Sequence, residues 1–514
     1  MKGQRIAGFI LLCASLASCR QGTVINIDSV VSPEGTEVFK PDLDSIAQHY
    51  EFPTWYSEAK LGIFIHWGVY SVPAYGNEWY PRHMYEEGSN EWKHHRETYG
   101  DQTKFGYKDF IPMFKAEKFD ADEWAQLFRR TGARYVVPVA EHHDGFSMYD
   151  SDLNPWNAVK MGPKRDIIGL LKAAAEKEGL VFGVSSHRAE NAWFYNGGMK
   201  FPSDVQDSTI RLYGFRYDGE VQTEESSREW LTRTYEIVNK YQPRLIFFDW
   251  TVNDPVIKPY FTRFLAYYYN NALDWGEGVV VNTKQGYPTN VMVWDVERGK
   301  SDKMMMFPWQ TDTSIGTKSW GYINDEVYKT PGQIVDDLVD IVSKNGNMLL
   351  NICPCSDGTI PQEQQNIMLA IGDWLNVNGE SIYGSKCWKR FGEGETETTK
   401  GSFSDNKEVA YTSQDLRFTT KGNTLYVTML EWGEGSITVK SLTPDVIGDS
   451  QILNVEMLGS SEKIEWEVTD EGLKLSLPAE KPCDFAHVFR ISLDKMVGEN
   501  TESEASNEVL KHGA

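Results

Sequence analysis

Between residues 50 and 390 the chain alternates short apolar runs with longer segments whose apolar residues recur at helical spacing. The short runs have the length of buried strands, and the longer segments have the period of amphipathic helices. We predict strands at 61–67, 134–140, 180–185, 244–249, 278–282, 291–296 and 347–352. We predict helices at 120–131, 167–177, 227–240, 260–271 and 332–343. This alternation is typical of a parallel α/β fold.

Beyond residue 388 the pattern changes to short, often alternating runs that are separated by Gly, Asp and Asn. The strands predicted there are 408–412, 424–430, 436–441, 464–468, 473–477 and 487–493. Short alternating strands with frequent turn residues are typical of an antiparallel β-sandwich.

Polar residues with ligand-binding chemistry follow most of the predicted parallel strands. They are His66, His142, His143, His187, Asp249, Lys284 and Glu297. A (β/α)8 barrel gathers its chemistry at the carboxyl ends of its strands. An open doubly wound sheet usually has a Gly-rich turn after its first strand, and this chain has none. We therefore predict an α/β fold, a TIM-like (β/α)8 barrel followed by a C-terminal antiparallel β-sandwich.

The N-terminus has the pattern of an export signal. Lys2 and Arg5 precede an apolar run at 6–16, which ends in Leu-Ala-Ser-Cys at 16–19. The run is too short to span a bilayer. Leu-Ala-Ser-Cys resembles the bacterial lipobox, which implies that Cys19 is lipidated; the alternative is an ordinary signal peptide. We expect an exported protein, either periplasmic or anchored to the outer membrane as a lipoprotein.

These patterns divide the chain into five predicted segments. They are a lipoprotein signal peptide at 1–18, a tether at 19–48, a catalytic barrel at 49–392, a β-sandwich at 393–494 and an acidic disordered tail at 495–514.

The charge of the chain excludes one class of partner. It has 51 Lys and Arg against 74 Asp and Glu, a net charge of −23. Such a protein repels a phosphate backbone, so we exclude nucleic acid and expect membrane contact only through the lipid anchor.

Cys-Pro-Cys at 353–355 has no second pair at zinc-like spacing. We interpret these cysteines as buried thiols, with a disulfide as the alternative in an exported protein.

Two carboxylates at different strand ends suggest glycoside hydrolysis. Asp249 follows a buried apolar strand, and Glu297 closes a later one. In a glycosidase one carboxylate attacks the sugar or activates water, and the other protonates the leaving oxygen. Asp295 shares a strand face with Glu297 and is a rival proton donor. Lys284 would keep Asp249 ionised if the two lie close together.

The histidines allow two interpretations. His66, His142, His143 and His187 could form a metal centre, or their neutral rings could hydrogen-bond to sugar hydroxyls. Barrel amidohydrolases carry a His-x-His pair on the first strand, and the first strand here has only His66. We therefore predict a carbohydrate site with no metal and no cofactor. The pair at 94–95 lies in a polar stretch, and we expect it to be solvated.

Several motifs resemble glycoside hydrolase family 29, the α-L-fucosidases. They are Phe-Ile-His-Trp-Gly at 64–68, Asn-Glu-Trp-Tyr at 77–80, Glu-His-His-Asp-Gly-Phe at 141–146, Ser-Trp-Gly-Tyr at 319–322, Asn-Gly-Asn at 345–347 and Trp-Leu at 374–375. The resemblance runs in order from about residue 50 to 390. It implies a retaining enzyme with a barrel, a β-sandwich and a fucosylated oligosaccharide or glycoconjugate as substrate.

The resemblance also implies roles for individual residues. Asp249 falls at the position of the nucleophile, and Glu297 falls where many members have the acid/base. Trp320 would pack near the C5 methyl group of the sugar. The residues that we assign to substrate binding are His66, Glu78, Trp79, His142, His143, His187, Lys284 and Trp320.

The chain also departs from the family. The nucleophile motif usually continues as Asp-Gly, whereas Trp250 follows Asp249 here. Ser-Ser-His-Arg-Ala-Glu at 185–190 replaces a segment that commonly contains Tyr. The alternatives are therefore a member acting on a related sugar such as an α-L-galactoside, and a glycan-binding lipoprotein without catalysis. A metal-dependent hydrolase is a third.

Overall fold

A computed structural model describes residues 38–284, 286–405 and 409–498. The predicted signal peptide, Cys19, the first part of the predicted tether and residues 499–514 of the predicted tail lie outside the described residues.

Eight parallel strands form a closed barrel, in which β1 pairs with both β2 and β8. The strands are β1 Leu61–Ile65, β2 Tyr135–Glu141, β3 Val181–Ser186, β4 Leu245–Phe248, β5 Val280–Thr283, β6 Val293–Asp295, β7 Trp309–Ser314 and β8 Gly346–Ile352. The predicted TIM-like barrel is confirmed. Only β7 was not predicted, because its sequence Trp-Gln-Thr-Asp-Thr-Ser contains no apolar run although the strand is fully buried.

Helices connect most of the strands. They are α1 Leu43–His49, α2 Thr54–Ala59, α3 Tyr80–His83, α4 Asn90–Thr98, α5 Ala121–Arg130, α6 Ile167–Lys177, α7 Glu224–Tyr241, α8 Lys258–Trp275, α9 Pro331–Ser343 and α10 Gln362–Asn378. Short 3-10 helices are Val69–Ser71, Tyr107–Met113, Arg188–Ala192, Asn196–Met199, Asp204–Gln206, Arg211–Tyr213 and Gly379–Ser381. Among the described residues, the β5–β6 and β6–β7 connections contain no helix.

Side chains that alternate along the strands form two apolar layers. Phe64 and Phe247 belong to a cluster inside the barrel, whereas their neighbours Ile65 and Phe248 pack in the larger cluster that includes the surrounding helices. Alternation follows from the period of two residues in a strand. Burial on both faces explains why these strands have continuous apolar sequences.

The C-terminal part contains two antiparallel sheets with a shared apolar core. The strands are β9 Lys386–Glu393, β10 Leu416–Lys421, β11 Thr424–Met429, β12 Ser436–Val439, β13 Ile452–Met457, β14 Trp466–Thr469, β15 Gly472–Ser476 and β16 His487–Leu493, with helix α11 at Pro444–Ile447. The strand predicted at 408–412 was wrong over its described residues, 409–412, which form no strand. β9, β10 and β13 were not predicted.

Two segment boundaries differ from those that the sequence suggested. The predicted tether at 19–48 is not free at its end, because Phe39 is buried and exchanges backbone hydrogen bonds with the Asn270 amide at 3.1 and 2.8 Å. α1 also buries Ile46 completely. The first strand of the C-terminal sheets begins at Lys386 rather than at 393.

Three further findings concern membrane spans, thiols and one histidine. Within the described ranges, no helix combines the length and apolarity that crossing a bilayer requires. Cys353, Cys355, Cys387 and Cys483 are free thiols, of which only Cys353 is fully buried. His95, expected to be solvated, is instead buried, and its ring is hydrogen-bonded to the Tyr80 hydroxyl and to a backbone carbonyl.

Candidate active site

A cavity of about 410 Å³ opens at the carboxyl ends of the barrel strands. Its lining residues are His66, Asn77, Glu78, Trp79, His83, His142, His143, His187, Asp249, Trp250, Glu297, Arg298, Asp312, Thr317, Lys318, Trp320 and Phe403. A larger cleft of about 780 Å³ near α5 and α10 contains no histidine and no buried carboxylate. The smaller cavity is therefore the candidate active site.

Asp249 lies directly after β4, and three cationic or hydrogen-bonding groups surround its carboxylate. Its Oδ2 is 3.0 Å from Nδ1 of His187 and 3.4 Å from Nε2 of His143. Its Oδ1 is 4.0 Å from Nζ of Lys284. Burial favours the neutral acid, but these neighbours outweigh burial and hold the pKa of Asp249 well below its ordinary value. The carboxylate is therefore ionised and able to act as a nucleophile.

His187 uses both of its ring nitrogens within the protein. Nδ1 faces Asp249, and Nε2 lies 2.5 Å from the Ser185 hydroxyl. Burial lowers the pKa of His187, so the ring is neutral, donates from Nδ1 and accepts at Nε2. His187 also lines the cavity, so its assignment to substrate binding stays a prediction, and its ring in addition orients the Asp249 carboxylate.

His143 bridges Asp249 to a further carboxyl group that the sequence analysis missed. The Glu190 Oε2 lies 3.5 Å from Nδ1 of His143, and Glu190 Oε1 accepts a hydrogen bond from the Thr251 hydroxyl at 3.0 Å. Burial opposes a charged ring, but Glu190 and Asp249 raise the pKa of His143 to about 9. Burial raises the pKa of Glu190 to about 7. His143 is therefore an imidazolium beside the Asp249 carboxylate.

Glu297 follows β6 and lines the same cavity, but its pKa is shifted in the direction opposite to that of Asp249. Burial raises its pKa to about 7, although Lys284 at 3.4 Å opposes this, and the charges of Asp312 and Asp249 add to the rise. The indole N–H of Trp250 donates a hydrogen bond to Oε2 at 2.7 Å. A carboxyl group that keeps its proton near neutral pH can serve as a general acid.

Lys284 lies behind the cavity and joins four carboxyl groups. Its Nζ is 2.7 Å from Asp312 and 3.1 Å from Asp295, in addition to its contacts with Asp249 and Glu297. Lys284 is not among the residues that line the cavity, and its assignment to substrate binding stays a prediction. The buried ammonium stays charged, since the four carboxyl groups around it hold the pKa of Lys284 well above the ordinary value despite burial.

Asp295, the rival proton donor, is also outside the cavity lining. Its carboxylate oxygens accept hydrogen bonds from Lys284 at 3.1 Å and from the Gln310 amide at 2.7 Å. Asp312, on the unpredicted strand β7, completes this buried group. Asp295 therefore belongs to the interior network that positions Lys284, whereas Glu297 reaches the cavity.

Two other histidines present ring nitrogens that a ligand can use. Nδ1 of His66 is bonded to the Asn351 side chain at 2.8 Å, which leaves Nε2 for a ligand. Nδ1 of His142 is buried without a hydrogen-bond partner among the described residues. Burial lowers the pKa values of both rings well below the ordinary value, so both are neutral. Neutral imidazoles suit both sugar hydroxyls and metal ions.

The histidines form two groups that could hold a metal ion. His66, His142 and His187 each have a ring nitrogen within 4.8 Å of the others, and His143, His187 and Asp249 form the second group. The nitrogens of His187, however, are already engaged with Ser185 and Asp249. A metal in either group would have to replace those hydrogen bonds.

The remaining wall of the cavity combines a carboxylate with two tryptophans. Oε2 of Glu78 accepts hydrogen bonds from the Trp320 backbone N–H at 2.9 Å and the Ser319 hydroxyl at 3.1 Å. The Trp320 ring lies 5.1 Å from the His66 ring and has the Arg298 guanidinium 4.6 Å from its centroid. The ring of Trp79 packs on His143 at 5.4 Å. An apolar face beside polar groups is the composition of a sugar-binding cavity.

The geometry thus brings most of the expected residues together and adds some that were missed. Asp249, Glu297, His66, Glu78, Trp79, His142, His143, His187 and Trp320 all line the cavity. The missed residues are Glu190, Trp250 as a partner of Glu297, Asp312 and Phe403. For Asp312 the sequence offered no signal beyond the polar residue type, because strand β7 was itself not predicted.

Comparison with known proteins gives the same family over both parts of the chain. The family model described as Alpha-L-fucosidase matches residues 27–380, and the model described as Alpha-L-fucosidase C-terminal domain matches residues 407–492. Tissue alpha-L-fucosidase of Rattus norvegicus is 33% identical over 93% of this chain and 95% of its own length. The human tissue enzyme is 33% identical over 90% of this chain and 94% of its own length.

Solved structures agree with the sequence relatives. The crystal structure of Thermotoga maritima alpha-fucosidase in complex with fucose is 30% identical, with a TM-score of 0.70, and the match covers 88% of this chain and all of that one. The same bacterial enzyme in complex with a mechanism-based inhibitor is 31% identical, with a TM-score of 0.69, over the same shares of the two chains.

Proposed function

The chain belongs to the α-L-fucosidase family, glycoside hydrolase family 29, and on that premise we propose a retaining double displacement with Asp249 as nucleophile and Glu297 as general acid/base. The activity of the family is the hydrolysis of α-L-fucosides, so fucosylated glycans are the substrate class. What the proposal adds is the assignment of the chemical steps to residues.

In the first step, Asp249 attacks C1 of the fucosyl unit and the bond from C1 to the leaving oxygen breaks. The depressed pKa of Asp249 supplies the carboxylate that this attack needs. His187 orients that carboxylate through Nδ1, and the imidazolium of His143 limits its movement from the other side. The product is a fucosyl ester on Asp249 and a departing alcohol.

Glu297 supplies the proton to the departing oxygen in this first step. Its raised pKa keeps it protonated below about pH 7. Once the ester has formed, the negative charge on Asp249 is gone, and Glu297 as carboxylate takes a proton from water. The water oxygen attacks C1, the ester bond breaks, and L-fucose leaves with its original anomeric configuration.

The sugar hydroxyls would bind to His66, His142 and Glu78, since each of them has a nitrogen or oxygen atom left for a ligand. Both hydrogen bonds from Ser319 and Trp320 go to Oε2 of Glu78, so Oε1 is the oxygen that can accept from a hydroxyl. Trp79 and Trp320 contribute the apolar surface, with Trp320 beside the methyl group that replaces a hydroxymethyl group in fucose.

One observation carries the proposal: two carboxyl groups on one cavity have pKa values shifted in opposite directions. Opposite shifts separate an acid from a nucleophile in glycosidases. Asp295, with both oxygens bonded inside the protein, has no access to the cavity. A protein that only binds glycans would not require this pair, which weighs against the binding-only alternative.

The proposal is tested by hydrolysis of an aryl α-L-fucoside with the wild-type protein and with Asp249→Ala. We expect the variant to lose about 10³-fold or more in kcat, the size of effect that follows from removing a nucleophile. An unchanged thermal transition in the variant shows that the loss is chemical. Comparable activity in the variant would contradict the assignment of Asp249. The same assay with an aryl α-L-galactoside tests the related-sugar alternative.

We further propose that the protein is exported and anchored by a lipid on Cys19, in the periplasm or at the outer membrane. The lipobox-like sequence at 16–19 supports this proposal, and those residues lie outside the described structure. Expression of the full chain in a bacterium fed labelled palmitate should label the wild type and not Cys19→Ala. Equal labelling, or a soluble and unlabelled wild type, would contradict a lipid anchor.

A further inference from the structure

A segment between the strands β9 and β10 leaves the C-terminal sheets and returns to the mouth of the barrel. Its residue Phe403 lines the cavity that contains Asp249 and Glu297, although it belongs to the C-terminal part of the chain. The Phe403 side chain is 62% exposed, so it adds little to any apolar core. A large exposed apolar ring beside catalytic carboxyl groups suggests a surface for a ligand.

Backbone hydrogen bonds hold this segment against the strand end that carries Glu297. The Phe403 N–H donates to the Glu297 carbonyl at 2.8 Å. The N–H groups of Ser404 and Asp405 donate to the Arg298 carbonyl at 2.7 and 2.9 Å. The position of the Phe403 ring is therefore tied to the position of the proton donor.

A buried ion pair anchors the segment from the other side. The Asp405 carboxylate is 2.6 Å from Nζ of Lys329, and it accepts a hydrogen bond from the Thr313 hydroxyl at 2.6 Å. The segment also approaches Gly299 so closely that a Cβ atom there would lie 2.0 Å from the Gly401 carbonyl oxygen. Such anchoring is unusual for a loop whose central side chain is exposed.

Phe403 also has a backbone conformation that its residue type disfavours. Its φ is +57°, in the left-handed region that bulky residues rarely adopt. A glycine or asparagine would relieve this strain, and the exposed ring contributes little packing in return. The combination of strain, exposure and firm anchoring indicates that the ring serves a ligand.

We propose that Phe403 forms the binding surface for the leaving group, and that its ring packs on the apolar face of the pyranose attached to fucose. The proposal rests on the proposed function, because Glu297 must protonate the oxygen that joins the two sugars. The leaving sugar must pass beside Glu297, where Phe403 is held. The C–H face of a pyranose is apolar and suits an aromatic ring.

The other residues at this end of the cavity support an outer subsite. Trp250 is partly exposed and donates to Glu297, and Thr317 and the exposed Lys318 also line the cavity. The inner end consists instead of buried histidines, Glu78 and Trp320. A buried inner end and an exposed aromatic outer end match a substrate whose terminal fucose enters first and whose leaving sugar stays near solvent.

The test compares two substrates that differ only in the leaving group. α-L-Fucosyl fluoride has a leaving atom too small to reach Phe403, whereas fucosyl disaccharides of different linkage carry a second pyranose. Phe403→Asn removes the ring with a residue that tolerates φ of +57°, and Phe403→Trp retains an aromatic surface. Trp466→Asn removes a comparably exposed aromatic side chain on β14 and is the matched control.

We expect Phe403→Asn to lower kcat/KM about tenfold on the best disaccharide, mainly through KM, and to leave the fluoride rate unchanged. Phe403→Trp should retain most of the disaccharide activity, and Trp466→Asn should behave as wild type. Equal losses on both substrates, or no loss on either, would overturn the leaving-group role. A wild type that fails to hydrolyse the fluoride would instead count against the proposed function.

Discussion

The indole N–H of Trp250 donates a 2.7 Å hydrogen bond to Oε2 of Glu297. Trp250 is also the residue directly after Asp249, so one short stretch of chain carries the proposed nucleophile and contacts the proposed acid. In the family that the sequence resembles, glycine usually follows the nucleophile, whereas this chain has Trp250 there. The tryptophan therefore gives this site a link between its two carboxyl groups that a glycine could not provide.

The first prediction concerns the pH dependence of catalysis. In the wild type, kcat/KM should fall as pH rises through about 7, because Glu297 loses the proton that it must donate. No acid-side fall is expected near the ordinary pKa of an aspartate, because Asp249 stays ionised well below it. The Trp250 hydrogen bond favours the charged form of Glu297. Its removal in Trp250→Phe should move the basic limb upward by about one pH unit.

The control for this variant is Trp466→Phe, which changes an exposed tryptophan on β14 that does not line the cavity. It should leave the pH profile of kcat/KM unchanged. A basic limb that stays in place in Trp250→Phe, or moves to lower pH, would show that the hydrogen bond does not tune Glu297.

The second prediction separates Glu297 from Asp295. Glu297→Gln should lose about 10²–10⁴-fold on fucosides with a poor leaving group, because such a group needs a proton to depart. On fucosyl fluoride the rate of the first step should fall only slightly, because fluoride can leave without receiving a proton from Glu297. Asp295→Asn removes one anion from Lys284 and should affect both substrates to the same degree. If Asp295→Asn showed the leaving-group dependence instead, Asp295 would be the acid.

The third prediction concerns the buried ammonium of Lys284. Lys284→Met leaves Asp295 and Asp312 buried without their cation, and the free energy of unfolding should fall by about 3–5 kcal/mol. The pKa of Asp249 should rise in the variant, so an acid-side fall in kcat/KM should appear at higher pH than in the wild type.

Lys318→Met is the matched control, since Lys318 lines the same cavity but is 43% exposed and forms an ion pair with the exposed Asp325. Its unfolding free energy should stay within about 0.5 kcal/mol of the wild type. Denaturant unfolding of both variants makes the comparison, and equal stabilities would mean that Lys284 is not the centre of the charge network.

The fourth prediction concerns metal removal. Dialysis against a chelator should leave the hydrolysis of an aryl fucoside unchanged, because the carboxyl pair performs the reaction and the neutral imidazoles bind hydroxyls. His142→Ala should raise KM, since the cavity would lose a neutral ring that can hydrogen-bond to a sugar hydroxyl. A chelated protein that lost activity and regained it with Zn²⁺ would favour the metal-dependent alternative.

The barrel strands that the sequence predicted share one property: each contains or directly follows a run of apolar residues. β4, with Leu-Ile-Phe-Phe, is buried throughout and was detected as an apolar run. β7 is just as buried, but Gln310 and Asp312 point into a network with Asp295 and Lys284 rather than into apolar packing. When the inward side chains of a strand are polar and hydrogen-bond to residues distant in sequence, the strand shows no run of apolar residues that could reveal it.

The site residues that the sequence could predict were likewise those next to apolar strands. Asp249 and Glu297 were predictable because each ends an apolar strand, and the carboxyl ends of parallel strands meet at one edge. The functions of His187 and Lys284 were not, because only the fold shows that their polar atoms face other protein groups. Phe403 lies about 100 residues further along the chain than Glu297. No local pattern connects the two.

The measurement that tests the central claim most directly is covalent trapping with 2-fluoro-fucosyl fluoride. Fluorine at C2 slows both steps, while the fluoride leaving group keeps the first one accessible, so the ester accumulates. The account predicts one added fluoro-fucosyl unit per protein, located on Asp249 by fragmentation of the peptide that also contains Asp254. Attachment to Glu190, Asp254 or another residue, or turnover without any adduct, would contradict Asp249 as the nucleophile.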